Sequence, residues 1–304
     1  MEPTKPKLPS EAVELYNHFI HGRITRRAFL DGIQKFAVGG LAAATIIEAL
    51  MPNYALGQQV SKTDDRIKAT YETVPSPQGN GSIKGYFVRP TSADTRDAMP
   101  AKLPGIIIVH ENRGLNPHIE DIARRIALAD FMAFAPDGLT SLGGFPGDDY
   151  HGGLLFNKVD KMKMFEDFVA AATWLKTRPD CTGKIGITGF CYGGGVSNNM
   201  AARLGPDLGA AVPYYGAVPM APDIAKIKAA VLVHHGALDT MTNKTWPDYD
   251  KALTAANVPH EGYLYPNAVH GFNCDATPER YNKEAADLAW GRTISWFNKY
   301  VRAS

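Results

Sequence analysis

The sequence predicts an α/β protein with a mostly parallel central sheet, helices on both of its faces, and an antiparallel hairpin at its start. Three observations carry this. From Lys68 onward, short apolar strand patterns alternate with segments of helical spacing. Several of the strand runs, such as IIIV at 106–109 and AVLV at 230–233, are apolar without interruption, as in strands buried on both faces. The opening pair, IKATYETVPSP and GSIKGYFVRP, alternates in polarity and is joined through QGNG, a hairpin turn.

The elements follow in order. LPGIIIVHENRG is a buried strand running into polar residues and glycine, and PHIEDIARRIALAD is a helix with Ile119, Ile122, Ile126 and Ala129 turned inward. FMAFAP is the next strand. A glycine-rich loop from Gly138 to Gly153 leads to a helix from about Lys158 to Lys176. KIGITGF is a strand and GGVSNNMAARL its helix. GAAVPYYG and AAVLVHHG are two further core strands. NKTWPDYDKALTAAN is a helix, HEGYLYP a strand, and RYNKEAADLAWGRTISWFNKYV a long final helix. In open sheets of this kind ligands bind beyond the carboxyl ends of the strands, so the polar residues there are the candidates for chemistry.

The 304 residues are 45% hydrophobic and 21% charged with a net charge of +1, the balance of a globular enzyme with one large core. That charge gives no electrostatic case for nucleic acid or an anionic membrane surface. There is no CxxC, zinc-type Cys/His spacing, GxGxxG or P-loop, and no run of 18 apolar residues. Cys181, Cys191 and Cys274 are odd in number, which leaves at least one thiol unpaired.

Residues 58–304 read as one domain, and residues 1–57 stand apart. TRRAFLDGIQKFAVGGLAAATIIEALMP sets Arg26 and Arg27 before Phe29 and Leu30, then a mild apolar run from Phe36 to Ile47, and ALG at 55–57 offers small residues for cleavage. This resembles a twin-arginine export signal, which would make the protein periplasmic. Yet SEAVELYNHFIHGRI ahead of it has its own helical period, with Val13, Tyr16, Phe19 and Ile20 on one face. The alternative is therefore a helical arm that packs on the body, or on a second copy as a homo-oligomer contact, in a cytoplasmic protein.

The sharpest signal is GKIGITGFCYGGGV. Gly189-Phe190-Cys191-Tyr192-Gly193 has the form G-x-nucleophile-x-G between a predicted strand and helix, a turn too tight for side chains at its glycine positions. It sets Cys191 at a helix N-terminus, where positive potential favours a thiolate. The partners of such an elbow come later, acid and then histidine. Asp239 in HHGALDTMTN and His270 in YPNAVHGFN fill that order, with Asp275 and Asp248 as rival acids and His234 and His235 as strand-end donors. Oxyanion donors would be the backbone N–H groups of Tyr192 and of Asn112, after GIIIVHE.

These motifs, GFCYGG, HHGALDT, AVHGF and the glutamate of VHENRG, resemble the dienelactone hydrolase family of α/β-hydrolases from about Lys68 to the C-terminus. The resemblance implies the α/β-hydrolase fold and a Cys191–His270–Asp239 triad that opens esters or lactones through a thioester. It also implies Glu111 as the group that contacts the resting cysteine and helps to generate its thiolate. A small-molecule ester or lactone is the implied partner, and no metal or organic cofactor is implied. Family members that open dienelactone hold its carboxylate with two arginines, one of them four residues after the histidine. Here that position is Cys274, and the segment TSLGGFPGDD lacks arginine; Arg113 and Phe272 are the candidate substrate contacts, though nothing in the sequence requires Arg113 in that role. The departure leaves two alternatives: a broad carboxylesterase for neutral or bulkier esters, and a non-catalytic binding module.

Overall fold

The computed structural model describes residues 8–37, 42–91 and 102–302. Four helices precede the sheet: α1 (Ser10–Ile20), α2 (Arg26–Ile33), α3 (Ala43–Leu50) and α4 (Tyr54–Gly57). Then follow β1 (Ile67–Ser76), β2 (Gly81–Pro90), β3 (Leu103–Val109), α5 (Pro117–Leu128), β4 (Met132–Pro136), α6 (Asp149–Lys158) and α7 (Lys161–Thr177). The second half holds β5 (Cys181–Phe190), α8 (Tyr192–Leu204), β6 (Ala210–Tyr214), α9 (Ala221–Ile224), β7 (Ala230–Gly236), α10 (Thr240–Asn243), α11 (Trp246–Ala255), β8 (His260–Tyr265) and α12 (Lys283–Phe297).

The eight strands form one sheet in the order β1-β2-β4-β3-β5-β6-β7-β8. β1 pairs antiparallel with β2, from Ile67 opposite Pro90 to Ser76 opposite Gly81, and β2 pairs antiparallel with β4. All remaining pairings are parallel. Alternation of side chains divides β3 between two cores: Ile107 and Val109 join one apolar cluster, Ile106 and Ile108 the other. This is why the run carries no polar residue.

α5 begins where Asn116 accepts a hydrogen bond from the Ile119 N–H, with Pro117 at its first position. Its Arg124 is 0% exposed and donates to Asp121 (3.0 Å) and to the Val60 carbonyl (2.9 Å). Asp121 in turn accepts from the Gln59 and Val60 N–H groups. A buried ion pair thus fastens the stretch after α4 to the body.

The glycine-rich loop is shorter than its composition suggests. The side chain of Asp148 accepts from the His151 N–H and starts α6 inside the stretch expected to be irregular. Gly152 lies in that helix because a Cβ there would fall 2.4 Å from the Arg113 carbonyl oxygen. Gly152 and Gly153 serve close packing, whereas Gly143, Gly144 and Gly147, with φ of +100°, +85° and +98°, turn the loop before the helix.

The N-terminal helices have an apolar cluster of their own, with Val13, Tyr16, Phe29, Ile33, Ile46 and Leu50 among its members. Phe19 stacks on Phe29 at 4.7 Å. α1 ends at His21 because Gly22 adopts φ +69°, and the Gly22 and Arg23 N–H groups return to the Phe19 and His18 carbonyls. This turn points at the body. Among the described residues no helix is long and apolar enough to cross a membrane.

Candidate active site

β5 runs into α8 through Cys191, which has φ +54°, an unusual backbone state for a residue with a side chain. The turn closes tightly: a Cβ on Gly189 would fall 2.2 Å from the Gly193 carbonyl oxygen, and one on Gly193 would fall 2.2 Å from that of Val109. The Cys191 N–H donates to the Tyr214 carbonyl (3.1 Å), which anchors the turn to β6. The N–H of Tyr192, first residue of α8, has no intrahelical acceptor.

Asp239 follows β7 and caps α10, accepting from the Met241 and Thr242 N–H groups and from the Thr242 hydroxyl (2.7 Å). His270, between β8 and α12, donates from Nδ1 to Asp239 Oδ2 at 2.6 Å. Burial opposes the Asp239 charge, yet the hydrogen bonds from His270 and Thr242 hold its carboxyl well below the usual range. The rival acids are engaged elsewhere: Asp275 pairs with His118 and Arg125, and Asp248 with Lys251 at the surface.

His270 Nε2 is buried and lies within 4.8 Å of Cys191 Sγ, with which it couples through charge and hydrogen bonding. Burial alone would raise the Cys191 thiol, but the His270 charge and the hydrogen bond with His21 outweigh it and bring the pKa to about 6. His270 answers in kind: burial would lower it, whereas the Cys191 charge and the Asp239 hydrogen bond raise it to about 10. Both shifts run towards thiolate and imidazolium.

The sequence motifs do not include His21. Carried by the turn after α1, its Nε2 lies 3.4 Å from Cys191 Sγ, and its ring meets that of His270 edge-on at 4.9 Å. Nδ1 of His21 donates to the Asn17 carbonyl at 2.6 Å. No spacing rule could have found a partner 170 residues away. Arg280 was also missed. It is buried, its guanidinium lies 5.7 Å from the Tyr16 ring, and it walls the cavity beside His270.

The remaining candidates change their setting. Asn112 Nδ2 and Arg113 Nη2 both donate to the Ile20 carbonyl, at 2.7 and 2.8 Å, so these side chains hold the arm. Glu111 is expected against the resting cysteine; the hydrogen bond described on Sγ is with His21. The Glu111 charge acts on Arg280, Cys274 and Tyr215. Phe272, expected at the substrate, is 0% exposed, enclosed by Tyr215 and Tyr265. It supports the wall from behind, because the tight turn at Gly271 directs it into the core. His234 bonds Thr293 and Tyr265, while His235 has no partner for either ring nitrogen; burial keeps it neutral with a pKa of about 4.

One cavity opens on the site and a second lies between the arm and the body. The first, of about 1130 Å³, opens along the seam of arm and body and is lined by Asn17, His21, Asp239, His270 and Arg280. The other, about 270 Å³ and mostly apolar, lies between Phe19, Phe29 and Ile47 of the arm and Arg113, Tyr150 and Leu154 of the body.

An open, mostly parallel sheet with a strained elbow after β5 and an acid–histidine pair after β7 and β8 defines an α/β-hydrolase. The dienelactone hydrolase family model matches residues 83–301, and the chain belongs to that family. A provisionally named carboxymethylenebutenolidase of Escherichia coli O157:H7 is 34% identical over 256 residues, 79% of this chain and 90% of the relative. A provisionally named hydrolase fragment of Escherichia coli K12 is 50% identical over 120 residues, 40% of this chain and 97% of the relative. The crystal structure of a provisionally named dienelactone hydrolase from Klebsiella pneumoniae superposes with a TM-score of 0.66 at 31% identity, covering 77% of this chain and 99% of that one. The protein is a hydrolase of ester or lactone bonds.

Proposed function

We propose that hydrolysis proceeds through Cys191 as nucleophile, with His270 as acid and base and Asp239 as the group that orients it. The observation that carries this reading is His270, bonded to Asp239 on one side and facing, on the other, a thiol whose pKa is about 6. The Cys191 thiolate attacks the carbonyl carbon, and the oxyanion accepts hydrogen bonds from the Tyr192 and Asn112 N–H groups. As the tetrahedral adduct collapses, the alkoxide leaves with the proton from His270 Nε2, and a thioester remains. His270, now neutral, takes a proton from water, whose hydroxide attacks the thioester carbonyl and expels the thiolate. Asp239 keeps Nδ1 protonated and stabilises the imidazolium at both stages.

The substrate class proposed is an ester or lactone with a neutral, apolar flank. Supporting this, the arm-lined cavity is mostly apolar and the Arg113 guanidinium is already bonded to the Ile20 carbonyl. For residues 1–57 we favour a retained arm over a removed leader, since Asn112, Arg113 and Cys191 all bond to it. Intact mass of the native protein decides between them.

The test compares p-nitrophenyl acetate with a carboxylate-bearing enol lactone in wild type and Cys191→Ala. Loss of at least about a thousandfold in kcat, with an acetyl adduct on the wild-type Cys191 peptide, is expected. Equal activity in both proteins would refute the cysteine mechanism. Preference for the carboxylated lactone would refute the neutral flank.

A further inference from the structure

We propose that His21, Cys191 and His270 together form a binding site for a soft divalent cation, zinc above all, built jointly by the arm and the catalytic pair. The ligand atoms of the three residues all lie within 4.8 Å of one another. A tetrahedral zinc ion, with Zn–S of about 2.3 Å and Zn–N of about 2.0–2.1 Å, sets its sulfur and nitrogen ligands about 3.6 Å apart. Cys191 Sγ and His21 Nε2 are 3.4 Å apart. The widest pair has to close by about 1.5 Å at most, which side-chain torsions can supply.

What raises this trio above a chance cluster is the layer behind it. Each histidine has its Nδ1–H committed: His21 to the Asn17 carbonyl and His270 to Asp239 Oδ2, both at 2.6 Å. A neutral imidazole so held carries its lone pair on Nε2, and in both residues Nε2 is the atom turned towards the sulfur. His270 Nε2 is buried. The Cys191 sulfur supplies the soft ligand. The Asp239 carboxylate behind His270 balances the charge left when one thiolate meets a divalent ion. The cavity of about 1130 Å³ along the seam gives a route in, with Asn17, His21, Asp239 and His270 on its wall.

Each ion bound displaces whatever protons the sulfur and Nε2 ligand atoms carry. The same step occupies the sulfur lone pair needed for attack and the nitrogen needed for proton transfer. The arm thus turns a hydrolytic pair into a metal trap, and the bound ion holds the enzyme silent until a chelator removes it.

Cobalt(II) is the probe, titrated into the chelator-treated full-length protein. One equivalent is expected to give thiolate-to-cobalt charge-transfer absorption and tetrahedral-type visible bands, both abolished by zinc. Cys191→Ser is expected to lose the charge-transfer absorption, and His21→Ala and His21→Gln to bind cobalt at least about tenfold more weakly. Unchanged circular dichroism shows that the variants are folded. Absence of charge-transfer absorption in wild type, or His21 variants that bind like wild type, would overturn the proposal. Hydrolysis by the metal-free protein is read separately, so failure of the metal site and failure of the cysteine mechanism are distinguishable.

Discussion

The ion pair at the site can be tested by replacing His270 with glutamine and following alkylation of Cys191 against pH. With a pKa of about 6, Cys191 is half thiolate at pH 6 and almost wholly thiolate at pH 9. The wild-type rate with iodoacetamide at pH 6 is therefore about 0.5 of that at pH 9. An ordinary thiol of pKa about 8.5 is about 0.3% thiolate at pH 6 and about three-quarters at pH 9, a ratio of about 0.004. Removing the His270 cation leaves burial opposed only by His21, so the ratio in the variant falls towards the ordinary value, a drop approaching about a hundredfold. Taking both rates on one protein cancels differences in access and in intrinsic nucleophilicity, which itself falls as a thiol becomes more acidic. Cys181 and Cys274 are each 3% exposed, and burial pushes both thiols up, Cys274 to about 12, so peptide mapping reads Cys191 alone. A wild-type ratio near 0.004 would refute the ion pair. So would a ratio near 0.5 that His270→Gln leaves unchanged, because the acidity of the thiol would then owe nothing to the histidine.

Three further outcomes follow from single contacts. Gly189→Ala places a Cβ 2.2 Å from a backbone oxygen that cannot swing away, so thermal unfolding is expected to show a loss of at least about 1–3 kcal/mol together with loss of hydrolysis. Arg124→Leu removes one of the two guanidinium partners of the buried Asp121 and leaves Arg125 as the other; urea unfolding is expected to show a loss of about 1–3 kcal/mol. Arg113→Ala deletes the charged hydrogen bond to Ile20, worth about 1.5 kcal/mol or more, and is expected to speed limited proteolysis within residues 8–37 by about tenfold while the body stays intact.

The sheet was legible because its signals are local. Uninterrupted apolar runs mark β3 and β7, and the turn at QGNG marks the hairpin, each within a dozen residues. Cys191, Asp239 and His270 could be placed because each stands at the end of a recognisable strand. What could not be read depends on contacts between distant segments. Gly152 and Gly153 look like loop residues until Arg113 is seen packed against them inside α6. Phe272 sits two residues from His270 in sequence, yet the turn at Gly271 sends it into the core with Tyr215 and Tyr265. Its chemistry is the same on either side of the wall, and only the backbone path decides.

The arm carries the argument furthest, because it lies outside the family match that begins at residue 83 and still reaches the reacting sulfur. Asn112 and Arg113 belong to the loop after β3 whose backbone, in the proposed mechanism, supplies an oxyanion donor. Their side chains are the ones that hold the Ile20 carbonyl. Docking of the arm and placement of that donor are therefore set by the same two residues, Asn112 and Arg113. The turn at Gly22, the ring of His21 and the apolar face of Phe19 come as one unit, fixed by the Asn17 carbonyl and the stack on Phe29. An enzyme with this body and a different arm would keep the Cys191–His270–Asp239 arrangement and lose both the apolar cavity and the third ligand. In this chain, then, the body carries Cys191, Asp239 and His270, and the arm brings His21 to within 3.4 Å of the sulfur.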